Sequence, residues 1–286
     1  MTQLLLPSEM LASATVRIEC TVPTGVSTGT AFVFGFLQTD QQHVPAIVTN
    51  KHVVKGASMV RFVFTEADAA GQPIRNQKFE ISLSGLQSKW IDHPSNDVDL
   101  CVFPIGPLHG YAAQQGKKLF YSTLTSRDLP TPAEVAELQA MEDIVMIGYP
   151  NGIWDAHNNQ PIIRRGVTAT HPALDYEGRR EFLIDAACFP GSSGSPVFLY
   201  NTNGYLTRDG GMMMGAMRIK LLGILYAGPV YNAKGDIVVM NQPALVKPTA
   251  VSPIPINLGV VIKASQLAAF DALLETMIAS QPKGAP

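Results

Sequence analysis

A chain of 286 residues has room for one large domain or two packed halves, at about 150 residues per domain. Hydrophobic residues make up 46% and charged residues only 15%, so there is ample apolar area for a core and intrinsic disorder is excluded. Twenty-one Lys and Arg against 23 Asp and Glu leave a net charge of −2, which provides no general attraction to nucleic acid or to an anionic membrane, and neither is expected as a partner.

At the N-terminus Pro7 breaks the short apolar run Leu4-Leu5-Leu6 and no basic segment precedes it, so no signal peptide is expected. No later run reaches the roughly 18 apolar residues of a membrane span. Glycine (24) and proline (21) punctuate short runs rich in Val, Ile, Phe and Thr. That pattern predicts strands over 14–20, 29–36, 44–49, 59–64, 79–84 and 99–104, then over 143–148, 162–169, 181–187, 196–200, 220–227, 236–240 and 258–262. Helical periodicity is confined to 131–141, which opens on Thr-Pro with Glu134 and Glu137 early, and to 264–280, with Leu267, Phe270, Leu273, Leu274 and Met277 on one face. The stretch 106–132 has polar turns and no alternation, which predicts a connection between two β halves, 1–115 and 116–286. The run Gly210-Gly211-Met212-Met213-Met214-Gly215 reads as a surface loop. Cys20, Cys101 and Cys188 are odd in number and lie inside apolar runs, so three free thiols and a reducing cytoplasm are expected.

Gly, Ser and Pro are densest over Phe189-Pro190-Gly191-Ser192-Ser193-Gly194-Ser195-Pro196, between two apolar strands. Glycines on either side of Ser193 permit a sharp turn in which the N–H groups of Gly191 and Ser193 face one spot beside a hydroxyl, as an acyl-transfer nucleophile requires. An ordinary Gly/Ser hairpin would read the same way. Chain order narrows the choice. The histidines, His43, His52, His93, His109, His157 and His171, all precede Ser193, which excludes the nucleophile–acid–histidine order of α/β-hydrolases. An acid–histidine–serine order would leave only Asp40 ahead of His43 or His52, in a polar turn. The order His, Asp, Ser remains. His52 follows the strand 44–49, so its imidazole is expected at a strand end. Asp99 opens the apolar run Asp-Leu-Cys-Val-Phe, where its nearly buried carboxylate would accept Nδ1–H from the imidazole; Asp97 shares that face and is its rival. Neither an H-E-x-x-H helix nor a C-x-x-C pair occurs, and no metal or other cofactor is expected.

Thr49-Asn50-Lys51-His52-Val53-Val54, Asp99-Leu100-Cys101-Val102 and the block from Asp185 to Val197 together resemble the three signature blocks of trypsin-like (chymotrypsin-fold) serine peptidases, and look closest to the bacterial HtrA-like branch. Gly29-Thr30-Ala31-Phe32, Ile147-Gly148-Tyr149-Pro150 and the segment from Leu222 to Gly228 resemble supporting strands of the same family. Ala31 and Ser195 each stand where the family usually has Gly, Ser192 stands where it has Asn or Asp, and no PDZ-like segment follows the helix. The resemblance implies an all-β fold of two six-stranded antiparallel β-barrels with a C-terminal helix. It places His52 and Asp99 on the first barrel and Ser193 on the second.

The activity implied is peptide-bond hydrolysis through an acyl-enzyme, with His52 as base, Asp99 as orienting acid, and Gly191 and Ser193 as the oxyanion hole. The resemblance also puts Ala187 at the base of the specificity pocket, with Tyr226, Ala227 and Gly228 as one wall. None of these is charged, so a buried Lys or Arg side chain would find no partner and a small or medium apolar side chain is expected instead. The partner is then a protein or peptide substrate. The competing expectations are an effector or binding module on a peptidase fold, held until a protein partner orders the loops 151–160 and 229–255, and an esterase using the same triad.

Overall fold

The computed structural model of the chain describes residues 5–39, 42–228, 230–236 and 249–280. Its first strands are β1 (Thr15–Val22), β2 (Gly25–Phe36), β3 (Val44–Thr49), β4 (Met59–Ala67), β5 (Pro73–Ser84), β6 (Ile91–Asp92), β7 (Cys101–Pro104), β8 (Leu119–Phe120) and β9 (Leu124–Thr125). They form one nine-stranded sheet in the order β5-β4-β1-β2-β3-β7-β6, with β8 beside β4 and β9 beside β2. The strands β10 (Asp143–Gly148), β11 (Ile162–Thr168), β12 (Glu181–Asp185), β13 (Pro196–Asn201), β16 (Arg218–Ala227) and β19 (Leu258–Lys263) close into a six-stranded barrel. Two hairpins stand apart, β14 (Gly204–Leu206) with β15 (Met212–Met214) and β17 (Val230–Asp236) with β18 (Thr249–Pro255).

The second half is thus the closed six-stranded barrel expected, but the strand pairing of the first half stays open between β5 and β6. The reason is local. β6 is two residues long and, among the described residues, pairs only with β7. The gap is filled by side chains, with Tyr111 and Leu108 of a helix over Gly106–Gln114 packing in one cluster with Phe79, Leu83 and Trp90. That helix, α3, was not expected, nor was α1 over Pro7–Ala14, where Pro7 occupies the first helical turn rather than breaking a run. A single turn, α2 (Lys51–Val54), follows β3, and α4 (Pro132–Ala136) is shorter than the helix expected over 131–141, although its Thr131 cap accepts the Glu134 N–H as the sequence implies. The C-terminal helix is a 3-10 turn, Ala264–Ala268, continuing into α5, Ala269–Ser280. The Met-rich run is a strand of the β14–β15 hairpin, not a loop. The strand expected over 236–240 lies, beyond Asp236, outside the described residues.

From Gly29 to Phe36, β2 is buried on both faces, and this positions the site. Ala31 and Val33 join the core of the first sheet with Ile18, Phe62 and Phe103. Phe32, Phe34 and Phe36 face the other way, into a cluster with Ile147, Phe198, Ile224, Leu267 and Phe270 that joins the sheet to the barrel and to the C-terminal helix. Each such side chain stabilises by about 1.5–3 kcal/mol on full burial. α5 docks on the sheet through Phe270, whose ring meets Phe36 edge-on at 5.8 Å, and through Asp271, whose Oδ1 accepts the Leu37 N–H at 2.8 Å. Met277, expected on its buried face, is 44% exposed.

All three cysteines are free and buried. Burial raises the thiol of Cys20 to about 12 and that of Cys188 to about 11, and holds Cys101 well above its ordinary value. The thiolate is therefore scarce at neutral pH and the groups are unreactive while folded. Alkylation without reductant is expected to leave the native protein unmodified and to label three cysteines after denaturation; a mass consistent with a disulfide would show the expectation wrong.

Candidate active site

α2 carries His52. Val53 and Val54 of this turn are buried, and Val53 rests so close on β2 that a Cβ on Gly29 would lie 2.4 Å from its Cγ1. Seating the two valines inward leaves the His52 side chain 47% exposed. Its Nδ1 makes a short hydrogen bond to Oδ2 of Asp99, and the His52 backbone N–H donates to Oδ1 at 3.1 Å. Asp99 is fixed in turn by Asn50, whose Nδ2 donates to the Asp99 carbonyl at 2.7 Å. The Asp99 side chain is 24% exposed, so the near-complete burial expected of it is not found, because it precedes β7 instead of lying inside it. Asp97 is exposed and makes no hydrogen bond or ion pair among the described residues. Among those residues His52 is also the one histidine whose ring meets a carboxylate.

The serine comes from the loop between β12 and β13. Phe189-Pro190-Gly191-Ser192 is a tight turn closed by the Ser192 N–H on the Phe189 carbonyl at 3.0 Å, with Gly191 at φ +81°. Proline at the second position and a positive φ at the third define a type II turn. The Pro190 carbonyl accepts the Asn151 N–H at 2.6 Å, and because the peptide is trans the Gly191 N–H points the opposite way. Neither the Gly191 nor the Ser193 N–H has an acceptor among the described residues. Of the three serines only Ser193 is partly open; Ser192 is 1% and Ser195 0% exposed. The Ser193 hydroxyl donates to the Tyr226 carbonyl at 3.3 Å, and it makes no hydrogen bond to His52.

Thr30 ties the two halves together here. Its N–H donates to the Ser193 carbonyl at 2.9 Å, its hydroxyl donates to the Gly191 carbonyl at 3.0 Å and accepts the Tyr149 N–H at 3.0 Å, and its carbonyl accepts the Thr49 hydroxyl at 2.7 Å. Gly194, at φ +86°, is pressed against the same carbonyl. The loop 151–160 is closed on itself by Asp155 and Gln160, paired in both directions, and the ring of its Trp154 meets the cations of Arg17 and Lys78, at 4.9 and 4.7 Å from the ring centre.

Around the expected pocket, Ala187 is partly buried and its carbonyl accepts a short hydrogen bond from Nη1 of Arg164. A Cβ on Gly228 would sit 3.5 Å from Cβ of Cys188, so the end of β16 runs beside the segment that follows Ala187. Ala227 and Tyr226 are partly buried, and the Tyr226 hydroxyl donates to Oε1 of Glu181 at 3.1 Å. Desolvation, with Glu181 and Asp99 nearby, pushes that phenol up to about 12. Thr30, Asn50, Asn151 and Arg164 are the site residues to which sequence reasoning gives no role. No three His, Cys, Asp or Glu side chains among the described residues are grouped to hold a metal ion, and no described helix is long and apolar enough to cross a membrane.

No curated protein matches the chain. Among solved structures, the inactive form of Rv3671c from M. tuberculosis H37Rv is similar at 17% identity and a TM-score of 0.45, over 97% of this chain and 92% of that one. The active form of the same protease is similar at 16% identity and a TM-score of 0.45, over 96% and 85%. The serine endoprotease from Yersinia pestis is similar at 14% identity and a TM-score of 0.45, over 97% and 69%. Residues 29–206, a span that holds His52, Asp99 and Ser193, match the trypsin-like peptidase domain, and the chain belongs to that family.

Proposed function

We propose that the chain is a serine endopeptidase that cleaves peptide bonds through His52, Asp99 and Ser193. The observation that carries this reading is the arrangement of charge and donors: an imidazole held at Nδ1 by a carboxylate, and a partly open serine whose turn leaves two N–H groups unengaged. Asp99 fixes the tautomer in which Nε2 is the free base and stabilises the imidazolium that forms. In this mechanism the Ser193 hydroxyl leaves the Tyr226 carbonyl and gives its proton to His52 as Oγ attacks the carbonyl carbon. The Gly191 and Ser193 N–H groups then receive the oxyanion, each donor being worth about 3 kcal/mol in comparable sites. His52 returns the proton to the leaving amine, and water hydrolyses the acyl-enzyme by the same steps.

In this reading Ala187, Tyr226, Ala227 and Gly228 line the pocket for the side chain preceding the cleaved bond. None of these four side chains is charged, so a basic side chain there would find no partner, and the substrate is a protein or peptide cut after an uncharged, small or medium apolar residue. Three buried free thiols support a reducing, cytoplasmic setting. A second reading, a peptidase switched on by a protein partner, is favoured by one observation: the Ser193 hydroxyl rests on Tyr226 and not on His52.

A fluorophosphonate probe tests the assignment. Wild type is expected to be labelled and to cleave a peptide library, Ser193→Ala to do neither while keeping its fold, and Ser192→Ala and Ser195→Ala to remain labelled. Labelling that survives Ser193→Ala would remove the nucleophile assigned here. Labelling without peptide cleavage would point to an esterase, and labelling that appears only with cell extract would favour the partner-switched reading.

A further inference from the structure

β11 carries a cation that the proposed chemistry does not use. Arg164 reaches from this strand to the back of the nucleophile loop, where its Nη1 donates to the Ser192 hydroxyl oxygen at 3.0 Å and to the Ala187 carbonyl. The same Ser192 oxygen accepts the Phe189 N–H at 3.3 Å, so one guanidinium nitrogen holds the pocket base and both ends of the type II turn. The other two nitrogens, Nε and Nη2, are buried with no hydrogen-bond partner, and no carboxylate pairs with Arg164 among the described residues. Burial lowers the pKa of the guanidinium, the direction for a charge held against desolvation. A buried, unpaired charge is destabilising, and such costs are retained where they serve a site.

We propose that Arg164 is the positioning residue for the oxyanion-binding turn: it clamps Ser192 and Ala187, while Thr30 clamps the carbonyls on either side of Ser192, and it sets the orientation of the Gly191 and Ser193 N–H groups. This rests on the reading of Ser193 as nucleophile. The loop from Ala186 to Ser195 has no strand or helix of its own, so its shape depends on such external ties. Thr30 holds the Gly191 and Ser193 carbonyls; Arg164 holds the residue between them. Its positive charge beside the turn also has the sign that favours a developing oxyanion.

The test compares Arg164→Met, Arg164→Lys, Ser192→Ala and the Arg164→Met/Ser192→Ala pair. The readouts are kcat, KM, affinity for a peptide aldehyde that adds to the serine, affinity for the matching peptide alcohol that does not, and Tm. Arg164→Met is expected to lose about 10²-fold in kcat, the scale of one missing oxyanion donor. Its KM and alcohol affinity should stay within about threefold while aldehyde affinity falls with kcat, and Tm should hold or rise because an unpaired buried charge has gone. Ser192→Ala should lose part of the same activity and add nothing in the Arg164→Met background. Arg164→Lys should recover only part of the loss, since an ammonium lacks the planar fork. Wild-type kcat in Arg164→Met, or a kcat loss with unchanged aldehyde affinity, would overturn the proposal. Should Arg164→Met not fold, Ser192→Ala decides: wild-type kcat and aldehyde affinity there overturn it equally. A wild-type protein without Ser193-dependent turnover would instead remove the peptidase reading itself.

Discussion

Replacing Asp99 by Asn is expected to lower kcat by about 10⁴-fold, the size found for the same change in another Asp–His–Ser triad, while the protein stays folded. Asn has the shape of Asp, and its Oδ1 can still accept the His52 N–H that Asp99 accepts at 3.1 Å. What changes is the atom facing Nδ1. An amide NH2 there donates, so Nδ1 must become the acceptor and the ring proton moves to Nε2, the position that in the proposed mechanism takes the proton from Ser193. Asp97→Asn alters an exposed side chain with no partner among the described residues and should leave kcat within about twofold. Steady-state kinetics of the two variants decide the assignment, and equal losses would leave the orienting acid unidentified.

Gly194→Ala is expected to cost more than about 3 kcal/mol of stability and to abolish probe labelling at Ser193. A Cβ there would lie 1.9 Å from the Thr30 carbonyl oxygen and 2.7 Å from the Thr49 hydroxyl. The neighbouring backbone cannot drift away, because the Gly194 N–H is held by the Leu225 carbonyl at 2.8 Å and the Ser193 carbonyl by the Thr30 N–H. Relief requires either the serine turn or β2 to move, and from Gly29 to Phe36 β2 is buried on both faces. Gly210 supplies the control: its φ of +85° matches, but a Cβ would meet nothing within 4 Å. Gly210→Ala isolates the cost of the left-handed backbone, about 1 kcal/mol. Urea midpoints of the two variants separate the terms, and similar shifts would mean that the contact with Thr30 is not tight.

Short runs rich in β-branched and aromatic residues, punctuated by glycine and proline, made most strands legible, β3 and β10 to the residue, because those signals are local. His52 and Asp99 were singled out for a different reason, their order along the chain ahead of Ser193, and the structure brings those two side chains into short contact. Thr30 and Arg164 were not, since their roles lie in partners 19 or more residues away. A signal existed for Arg164. In Ile162-Ile163-Arg164-Arg165 an alternating strand must turn one Ile and one Arg each way, and here Ile163 is 49% exposed while Arg164 faces in. The helix α3 hid behind Pro107, two glycines and only two buried positions, Leu108 and Ala112.

The open margin of the first sheet carries a hazard that the chain meets in β5. A twelve-residue strand whose outer backbone pairs with no other strand among the described residues is a template on which another molecule can extend the sheet. Between Pro73 and Lys78 the pairing with β4 slips by a bulge, and Asn76 turns left-handed at φ +61°, so the strand bends where it would otherwise lie flat. Beyond the bulge, Lys78 and Glu80 pair with each other, and Glu80 with Arg61. A second copy laid along this strand would have to straighten the bend and strip water from those charges, so the half of the molecule that does not close on itself still resists fibrous stacking.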